Sequence, residues 1–277
     1  MKRDANVTSE SDRRSALTQL NEDLARTSKV PVTPQTAHPA YRLPYVDPDF
    51  MRSDPLRGVR LQLELEKPES LLRAAGIEST VVMFGGARIP PPAEKSRART
   101  PVLAELSRYY DEARLFARWV TEESLKRGGG QLVICTGGGP GVMEAGNLGA
   151  EDAGGRSIGL NIVLPHEQAP NLHVTPSLSF NFHYFAIRKM HFLMRAKAIA
   201  VFPGGFGTLD ELFETLTLIQ TQRMECMPVL LFGVDFWRRI VNWEALAEAG
   251  TISNEDLTLF NFVETAEEAL AAMEGRV

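Results

Sequence analysis

Short apolar runs alternate with stretches of helical periodicity from residue 79 onward. The apolar runs lie at 80–84, 131–135, 157–161, 198–202, 228–232 and 259–263, and they predict buried parallel strands. Between them, a period near 3.6 predicts helices at 103–127, 141–153, 181–197, 208–222, 235–248 and 265–274. The alternation predicts an α/β fold, a doubly wound, Rossmann-like parallel sheet with helices on both faces. Right-handed crossovers then place the strand-to-helix loops at one sheet edge, where ligands bind.

The first 78 residues follow a different pattern. Up to about residue 50 they are polar and then interrupted by prolines, which predicts a partly flexible arm without a core of its own. Residues 56–76 alternate apolar and charged positions, and we interpret them as a helix that is broken or bent near Pro68. We expect this extension to pack on the main domain or on a second subunit rather than to regulate it. The predicted organisation is therefore an N-terminal arm and extension, 1–78, followed by one Rossmann-like domain, 79–277.

Composition and charge narrow the functional class. Apolar residues make up 44% of the chain and charged residues 23%, which is typical of a globular protein. The net charge of −5 argues against a nucleic-acid binder, whose surface is normally basic. No apolar run approaches the roughly 18 residues of a membrane span, and the N-terminus lacks the apolar region of a signal peptide. We expect a cytoplasmic enzyme with no membrane or nucleic-acid partner.

The residues that commonly bind metals do not form a recognisable site. Two cysteines, Cys135 and Cys226, are too few for a disulfide framework or a metal cluster, and their apolar neighbours predict buried thiols. The histidines are His38, His166, His173, His183 and His191, and none of them has H-E-x-x-H spacing. We therefore expect no metal.

Glycines concentrate where strands lead into helices. The richest loops are TGGGPGVMEAGNLGA at 136–150 and PGGFGTLDE at 203–211, with a weaker one, FGGARIP, at 84–90. Glycine lets backbone N–H groups approach a ligand closely, and a helix start adds partial positive charge, so these loops suit a phosphate. Tight turns alone are the alternative explanation. The dinucleotide pattern G-x-G-x-x-G fails at Val142 and Asp210, and the absence of any Gly-Lys pair excludes a P-loop.

Charged residues beside these loops are candidates for chemistry. Thr208 and Glu211 have the spacing of a capping box at the start of a helix, which is as good an explanation of Glu211 as a catalytic role. The helix dipole accounts for Asp210, and a solvated helix face accounts for Glu214. Arg188 and Lys189 interrupt an otherwise apolar helix, so we expect a buried Arg188 with a partner, because an unpaired buried charge is costly. The planar guanidinium suits a carboxylate or a phosphate.

Together these residues resemble the LONELY GUY (LOG) family of nucleoside 5′-monophosphate phosphoribohydrolases, which are often labelled lysine decarboxylases. The family signature P-G-G-x-G-T-x-x-E is matched in full at 203–211, and the resemblance covers roughly residues 79–275. It implies an N-glycosidase that releases free base and ribose 5-phosphate from AMP or a cytokinin riboside monophosphate, without a cofactor, as a homodimer or larger homo-oligomer. It implies catalytic roles for Arg188 and Glu211. The implied phosphate- and nucleotide-binding residues are Gly137, Gly138, Gly139, Glu144, Lys189, Gly204, Gly205, Gly207 and Thr208.

Two features qualify the resemblance. Plant-type members have Met-His-x-Arg-Lys where this chain has FAIRK at 185–189, and HYFAIRKM looks more like the bacterial branch with broader specificity. The signature also occurs in proteins that bind nucleotide or carry the molybdenum cofactor without catalysis, and such a carrier is the alternative function. Because both Arg188 and Glu211 are present, the enzyme is favoured over the carrier. A dehydrogenase or kinase is disfavoured by the missing fingerprints.

Overall fold

The computed structural model describes residues 10–165 and 169–277, with side chains from residue 19 onward. The start of the predicted arm and His166 lie outside the described residues. The chain divides into two compact units, one ending at Arg60 and the other comprising Leu61–Val277. The helix that contains this boundary is α4 (Arg57–Ala74), which continues past the buried Pro68.

The described part of the first unit is built from one helix of 18 residues and several short helical elements. They are α1 (Glu10–Thr27), α2 (Pro34–Ala37) and α3 (Pro48–Arg52), with 3-10 turns η1 (Pro39–Tyr41), η2 (Pro44–Val46) and η3 (Asp54–Leu56). Proline occupies the first turn in each element after α1, where the missing N–H costs nothing. Asp47 caps α3 by accepting from the backbone N–H groups of Asp49 and Phe50. Among the described side chains of this unit, no hydrophobic residue is buried.

The second unit contains a seven-stranded parallel sheet. Its strands are β1 (Thr80–Phe84), β2 (Val133–Thr136), β3 (Ser157–Ile162), β4 (Ser179–Phe182), β5 (Ala196–Val201), β6 (Val229–Phe232) and β7 (Asn261–Val263). Its further helices are α5 (Pro101–Glu105), α6 (Arg108–Lys126), α7 (Val142–Asp152), α8 (Phe185–Leu193), α9 (Phe206–Gln220), α10 (Val234–Ile240), α11 (Trp243–Glu248) and α12 (Ala266–Met273). The 3-10 turns are η4 (Pro92–Arg97), η5 (Pro176–Leu178) and η6 (Glu255–Thr258).

The strands are ordered β4-β3-β2-β1-β5-β6-β7, and every pair is parallel. Alternate residues of β1 belong to two hydrophobic cores, one on each face of the sheet, because successive side chains of a strand point to opposite faces. Val81 and Met83 pack with α6, α7 and α12, whereas Val82 and Phe84 pack with α8, α9, α10 and α11. Helices therefore cover both faces, and the predicted doubly wound, Rossmann-like fold is confirmed.

The sequence pattern misplaced several elements. The predicted helix 181–197 is wrong at both ends, because β4 occupies Ser179–Phe182 and β5 begins at Ala196. In β4, Phe180 and Phe182 are buried while Asn181 between them is exposed, which is the alternation of an edge strand. The predicted helix 103–127 is divided into α5 and α6, and 235–248 into α10 and α11.

The exposure of the cysteines and the length of the helices bear on two further expectations. Cys135 is buried as expected, but Cys226 is exposed, so the expectation of two buried thiols is wrong for the second. No helix in the described part of the chain is long and apolar enough to cross a membrane.

Candidate functional site

The candidate site lies where the order of the sheet reverses. β1 and β5 are neighbours, and the chain proceeds from β1 towards β2 on one side and from β5 towards β6 on the other. Such a switch point opens a crevice at the carboxyl ends of the strands, where ligands of doubly wound sheets bind. The three glycine loops meet there. The Gly86 N–H donates to the carbonyl of Pro203 at 2.9 Å, and the Val142 N–H donates to the carbonyl of Gly86 at 3.4 Å.

Some glycines of these loops are required by the protein itself. Gly138 and Gly141 have φ of +71° and +69°, a conformation that residues with a Cβ avoid. A Cβ on Gly138 would also collide with the side-chain oxygen of Asn161, and one on Gly141 with the carbonyl of Gly86. A Cβ on Gly204 would strike the hydroxyl of Thr208.

Two other glycines are not explained by packing within the chain. A Cβ on Gly205 or Gly207 would meet no atom within 4 Å, and neither residue has a positive φ. These two positions leave the backbone of the loop open on its outer side. A ligand could therefore approach the N–H groups at the start of α9 closely.

A buried polar network holds the loop after β2. The Thr136 hydroxyl donates to the side chain of Asn147 at 2.8 Å and accepts from the Gly138 N–H at 2.9 Å. The side-chain amide of Asn171 donates to the same oxygen of Asn147 and to the carbonyl of Gly139, both at 2.9 Å. Sequence reasoning missed these asparagines. For Asn147, a signal was available in the amide near the middle of α7, where asparagine is a poor helix former; Asn171 lies outside that helix.

Arg188 is positioned by β3, by its own helix and by a glycine. Its Nε donates to the carbonyl of Leu160 at 2.7 Å, and its guanidinium lies 5.0 Å from the ring centre of Phe192. Gly137 leaves room for it, because a Cβ there would lie 2.7 Å from the guanidinium. Burial lowers the pKa of Arg188, and the negative charge of Glu211 opposes that shift. We expected a buried Arg188 with a partner; the side chain is half-buried, and its hydrogen-bond partner is the backbone carbonyl of Leu160, while Glu211 acts on it only through its charge.

The capping box predicted for Thr208 and Glu211 is wrong. α9 begins at Phe206, two residues before Thr208, and Gly205 is its N-cap without any side-chain cap. Gly205 already has the extended backbone that a cap requires, so Thr208 falls inside the first turn and Glu211 in the second. The capping explanation of Glu211 is thereby removed.

Glu211 is a buried carboxyl group with an unsatisfied oxygen. Only 6% of the residue is exposed, and its Oε2 has no hydrogen-bond partner. Burial raises the pKa of Glu211 to about 7, although the positive charges of Lys189 and Arg188 act in the opposite direction. A buried acceptor without a partner is destabilising, so its presence calls for a functional explanation.

Lys189 is bound to the two acids that flank Glu211 along α9. Its Nζ lies 2.7 Å from Asp210 and 3.0 Å from Glu214. Burial opposes the charge of Lys189, but its bonds to Asp210 and Glu214 outweigh that effect and raise its pKa. Asp210 and Glu214 both form an ion pair with Lys189. The helix dipole and a solvated helix face are therefore incomplete explanations of these two acids.

Glu144 lies in the first turn of α7, directly after the second glycine loop. The Tyr110 hydroxyl donates to its Oε1 at 3.4 Å. Burial first, and then the charge of Glu144, raises the pKa of Tyr110 to about 12, so the phenol remains a donor at neutral pH. Glu144 is thus tethered beside the loop of Gly137, Gly138 and Gly139.

The arrangement favours proton transfer or stabilisation of a positive charge near neutral pH. A carboxyl group that titrates near 7 exists in both forms at neutral pH, which is the range where acid–base catalysts are effective. Strongly shifted groups of this kind in a crevice are typical of functional sites. Among the described residues, no group of three or more His, Cys, Asp or Glu side chains forms a metal site.

The chain is similar to one sequence family and to several solved structures. Residues 143–273 match the sequence model of a family described as "Possible lysine decarboxylase". The chain resembles the structural-genomics target TM1055 at 21% identity and a TM-score of 0.47, covering 71% of this chain and 98% of that one. It also resembles the molybdenum cofactor binding protein of the phototrophic bacterium Rippkaea orientalis, at 19% identity and a TM-score of 0.45, covering 70% and 94%.

A third structure is the molybdenum cofactor carrier protein of Chlamydomonas reinhardtii. It is 19% identical with a TM-score of 0.39, covering 70% of this chain and 95% of its own. None of the curated protein sequences matches the chain.

The residues at the site do not fit the decarboxylase that the family description names. Pyridoxal phosphate enzymes hold their cofactor through a lysine Schiff base, which needs a lysine able to become neutral. Two carboxylates bind Lys189 and raise its pKa, which stabilises the charged form instead. Lys189 is therefore unsuited to hold that cofactor.

Proposed function

We propose that this chain, a LOG-like protein, hydrolyses the N-glycosidic bond of nucleoside 5′-monophosphates. In this reaction the bond between C1′ of the ribose and the base nitrogen breaks, and the oxygen of water becomes attached to C1′. The base leaves with a proton, and ribose 5-phosphate is the second product. AMP is the reference substrate, and cytokinin riboside monophosphates belong to the same class.

The observation that carries the proposal is the unpaired, buried carboxyl of Glu211 directly behind the glycine loop. Cleavage of a glycosidic bond develops positive, oxocarbenium-like charge on the sugar, and a carboxylate beside it stabilises that charge. The same group can hold a sugar hydroxyl or take a proton from water. A pKa of about 7 suits both uses at neutral pH.

We place the phosphate of the substrate at the loop before α9. Backbone N–H groups at a helix start bind anions, and Gly205 and Gly207 leave that backbone open. Thr208, in the first turn, adds a hydroxyl. Glu211 lies five residues beyond the first residue of α9, about 7.5 Å along the axis, and helical side chains tilt back towards the N-terminus. A ribose attached to a phosphate at the loop would thus lie next to the carboxyl group.

Arg188 and the second glycine loop complete the proposed site. We propose that Arg188 orients Glu211 and the departing base, because the charges of Arg188 and Glu211 interact across the site. The base would lie towards Gly137, Gly138 and Gly139, with Glu144 as a further contact.

The decisive experiment incubates the protein with a panel of nucleoside 5′-monophosphates and quantifies free base and ribose 5-phosphate by chromatography. We expect release from AMP or a related monophosphate and little release from adenosine, because the loop binds through the phosphate. Equal rates for AMP and adenosine would contradict the phosphate assignment. Binding of AMP without release of base from any member of the panel would instead favour the carrier function.

A further inference from the structure

Glu64 on α4 holds the start of the helix that carries Arg188 and Lys189. Its Oε1 accepts from the backbone N–H of His183 at 2.8 Å, and its Oε2 accepts from that of Tyr184 at 3.0 Å. These two residues immediately precede α8, whose N-cap, Tyr184, makes no side-chain cap of its own. A carboxylate more than a hundred positions earlier in the sequence thus anchors the two residues that lead into α8.

The same helix also holds the other end of α8. The buried ring of His191 contacts the backbone carbonyl of Glu64 through Nε2 at 3.1 Å. Burial lowers the pKa of His191, so at neutral pH the ring is uncharged and its N–H can donate to that carbonyl. Just beyond α8, Arg195 makes two hydrogen bonds to the carboxylate of Glu69, one of them at 2.9 Å.

We propose that α4 is a positioning element of the site, and that the Glu64 carboxylate fixes the start of α8 so that Arg188 and Lys189 are held against Glu211. Glu64 is then a positioning residue that acts through α8. The inference rests on the proposed function for its catalytic consequence, but the coupling between Glu64 and Glu211 is a property of the folded chain and can be measured without substrate.

Geometry explains why the start of α8 matters. Arg188 and Lys189 lie within about one turn of the first residue of α8, so a shift of that turn moves both cations. Hydrogen bonds to a charged carboxylate are stronger than neutral ones, so two of them on the successive N–H groups of His183 and Tyr184 limit how far the adjoining first turn of α8 can shift. The charged groups that face Glu211 are Lys189 and Arg188 from α8 and Asp210 and Glu214 from α9. Burial is the largest cause of the raised pKa of Glu211; while that burial is kept, a displacement of α8 weakens only the two cations among these charges, and the pKa of Glu211 should rise.

The test compares Glu64→Gln with Glu66→Gln, an exposed acid on the same helix. Glutamine can accept only one of the two N–H groups. The pKa of Glu211 is obtained by measuring, in each background, how the stability difference between the parent protein and its Glu211→Gln variant depends on pH. We expect Glu64→Gln to raise this pKa by about half a unit or more. We also expect amide exchange in the first turn of α8 to become roughly tenfold faster, while Glu66→Gln changes neither quantity.

The outcomes separate this inference from the proposed function. A folded Glu64→Gln protein with an unchanged Glu211 titration and unchanged exchange in α8 would overturn the positioning role. If instead no nucleotide is hydrolysed, the proposed function fails while the titration and exchange results still decide the coupling. Should Glu64→Gln not fold, Glu64→Asp retains the charge on a shorter side chain and is expected to give smaller changes of the same sign. If the protein is active, Glu64→Gln should lower kcat more than it raises KM.

Discussion

Replacing Glu211 by glutamine should make the protein more stable and far less active. Glutamine has nearly the same shape as the protonated acid but cannot ionise. Burial without a hydrogen-bond partner for Oε2 disfavours the carboxylate in the folded state, whereas the unfolded chain ionises freely. The substitution therefore removes an unfavourable charge from the folded protein, along with the group that we assign to the sugar.

The size and sign of the effect follow from the shifted pKa. The pKa of Glu211 rises from 4.5 to about 7 on folding, and each unit corresponds to about 1.4 kcal/mol. Between these values the folded state binds more protons than the unfolded state, so the wild-type protein loses stability relative to Glu211→Gln as the pH rises. The stability advantage of the variant should be about 1.4 kcal/mol at pH 5.5 and about 3 kcal/mol at pH 8.5.

The assay is urea unfolding of both proteins at pH 5.5 and pH 8.5, with Glu66→Gln as the control, together with turnover of AMP. Turnover of Glu211→Gln should fall about 100-fold or more, which is typical for the loss of a positioned acid or base. A stability difference that does not change between the two pH values would refute the shifted pKa. Near-normal turnover in Glu211→Gln would refute the catalytic role of Glu211, and the hydrolysis would then have to rest on another group.

Two other predictions use the open loop and the exposed helix faces. Gly207→Ala should stabilise α9 by at most about 1 kcal/mol, because alanine is the better helix former, the position lies in the first turn, and no atom lies within 4 Å of its methyl group. It should also raise KM for AMP by obstructing the phosphate; a variant with unchanged KM would place the phosphate elsewhere. Light scattering at micromolar concentration should find a homodimer or larger assembly, because Phe185, Met190, Phe206 and Phe213 on α8 and α9 are exposed; an active monomer would contradict this.

Local sequence patterns were sufficient for most of the sheet. Strands such as β1 and β6 are continuous apolar runs, because both of their faces are buried, and this signal requires no knowledge of neighbours. β4 gave a weaker signal, since an edge strand alternates and its four residues run almost directly into α8. The short spacing made strand and helix resemble one long helical pattern.

The sequence predicted the glycine loops of the candidate site and some of its charged residues, but not the contacts that position them. Glycine-rich junctions and Arg188 could be identified because their chemistry is local. The contacts of Glu64 with His183 and Tyr184 join residues about 120 positions apart, and no local pattern indicates them. Spacing also allowed a capping box for Glu211, which the actual start of α9 at Phe206 excludes.

The acids that follow the loop proposed to bind phosphate have two different environments. Asp210 and Glu214 are exposed or half-buried and share the ammonium group of Lys189, so much of their repulsion of a phosphate is cancelled. Glu211 lies between them in sequence but faces inward, where Lys189 and Arg188 reduce its pKa shift without forming a direct ion pair with it. A helix can thus follow the proposed phosphate loop with three acids, because Lys189 offsets part of the negative charge of two of them. The third stays buried and unpaired, which is consistent with the role beside the sugar that we propose for it.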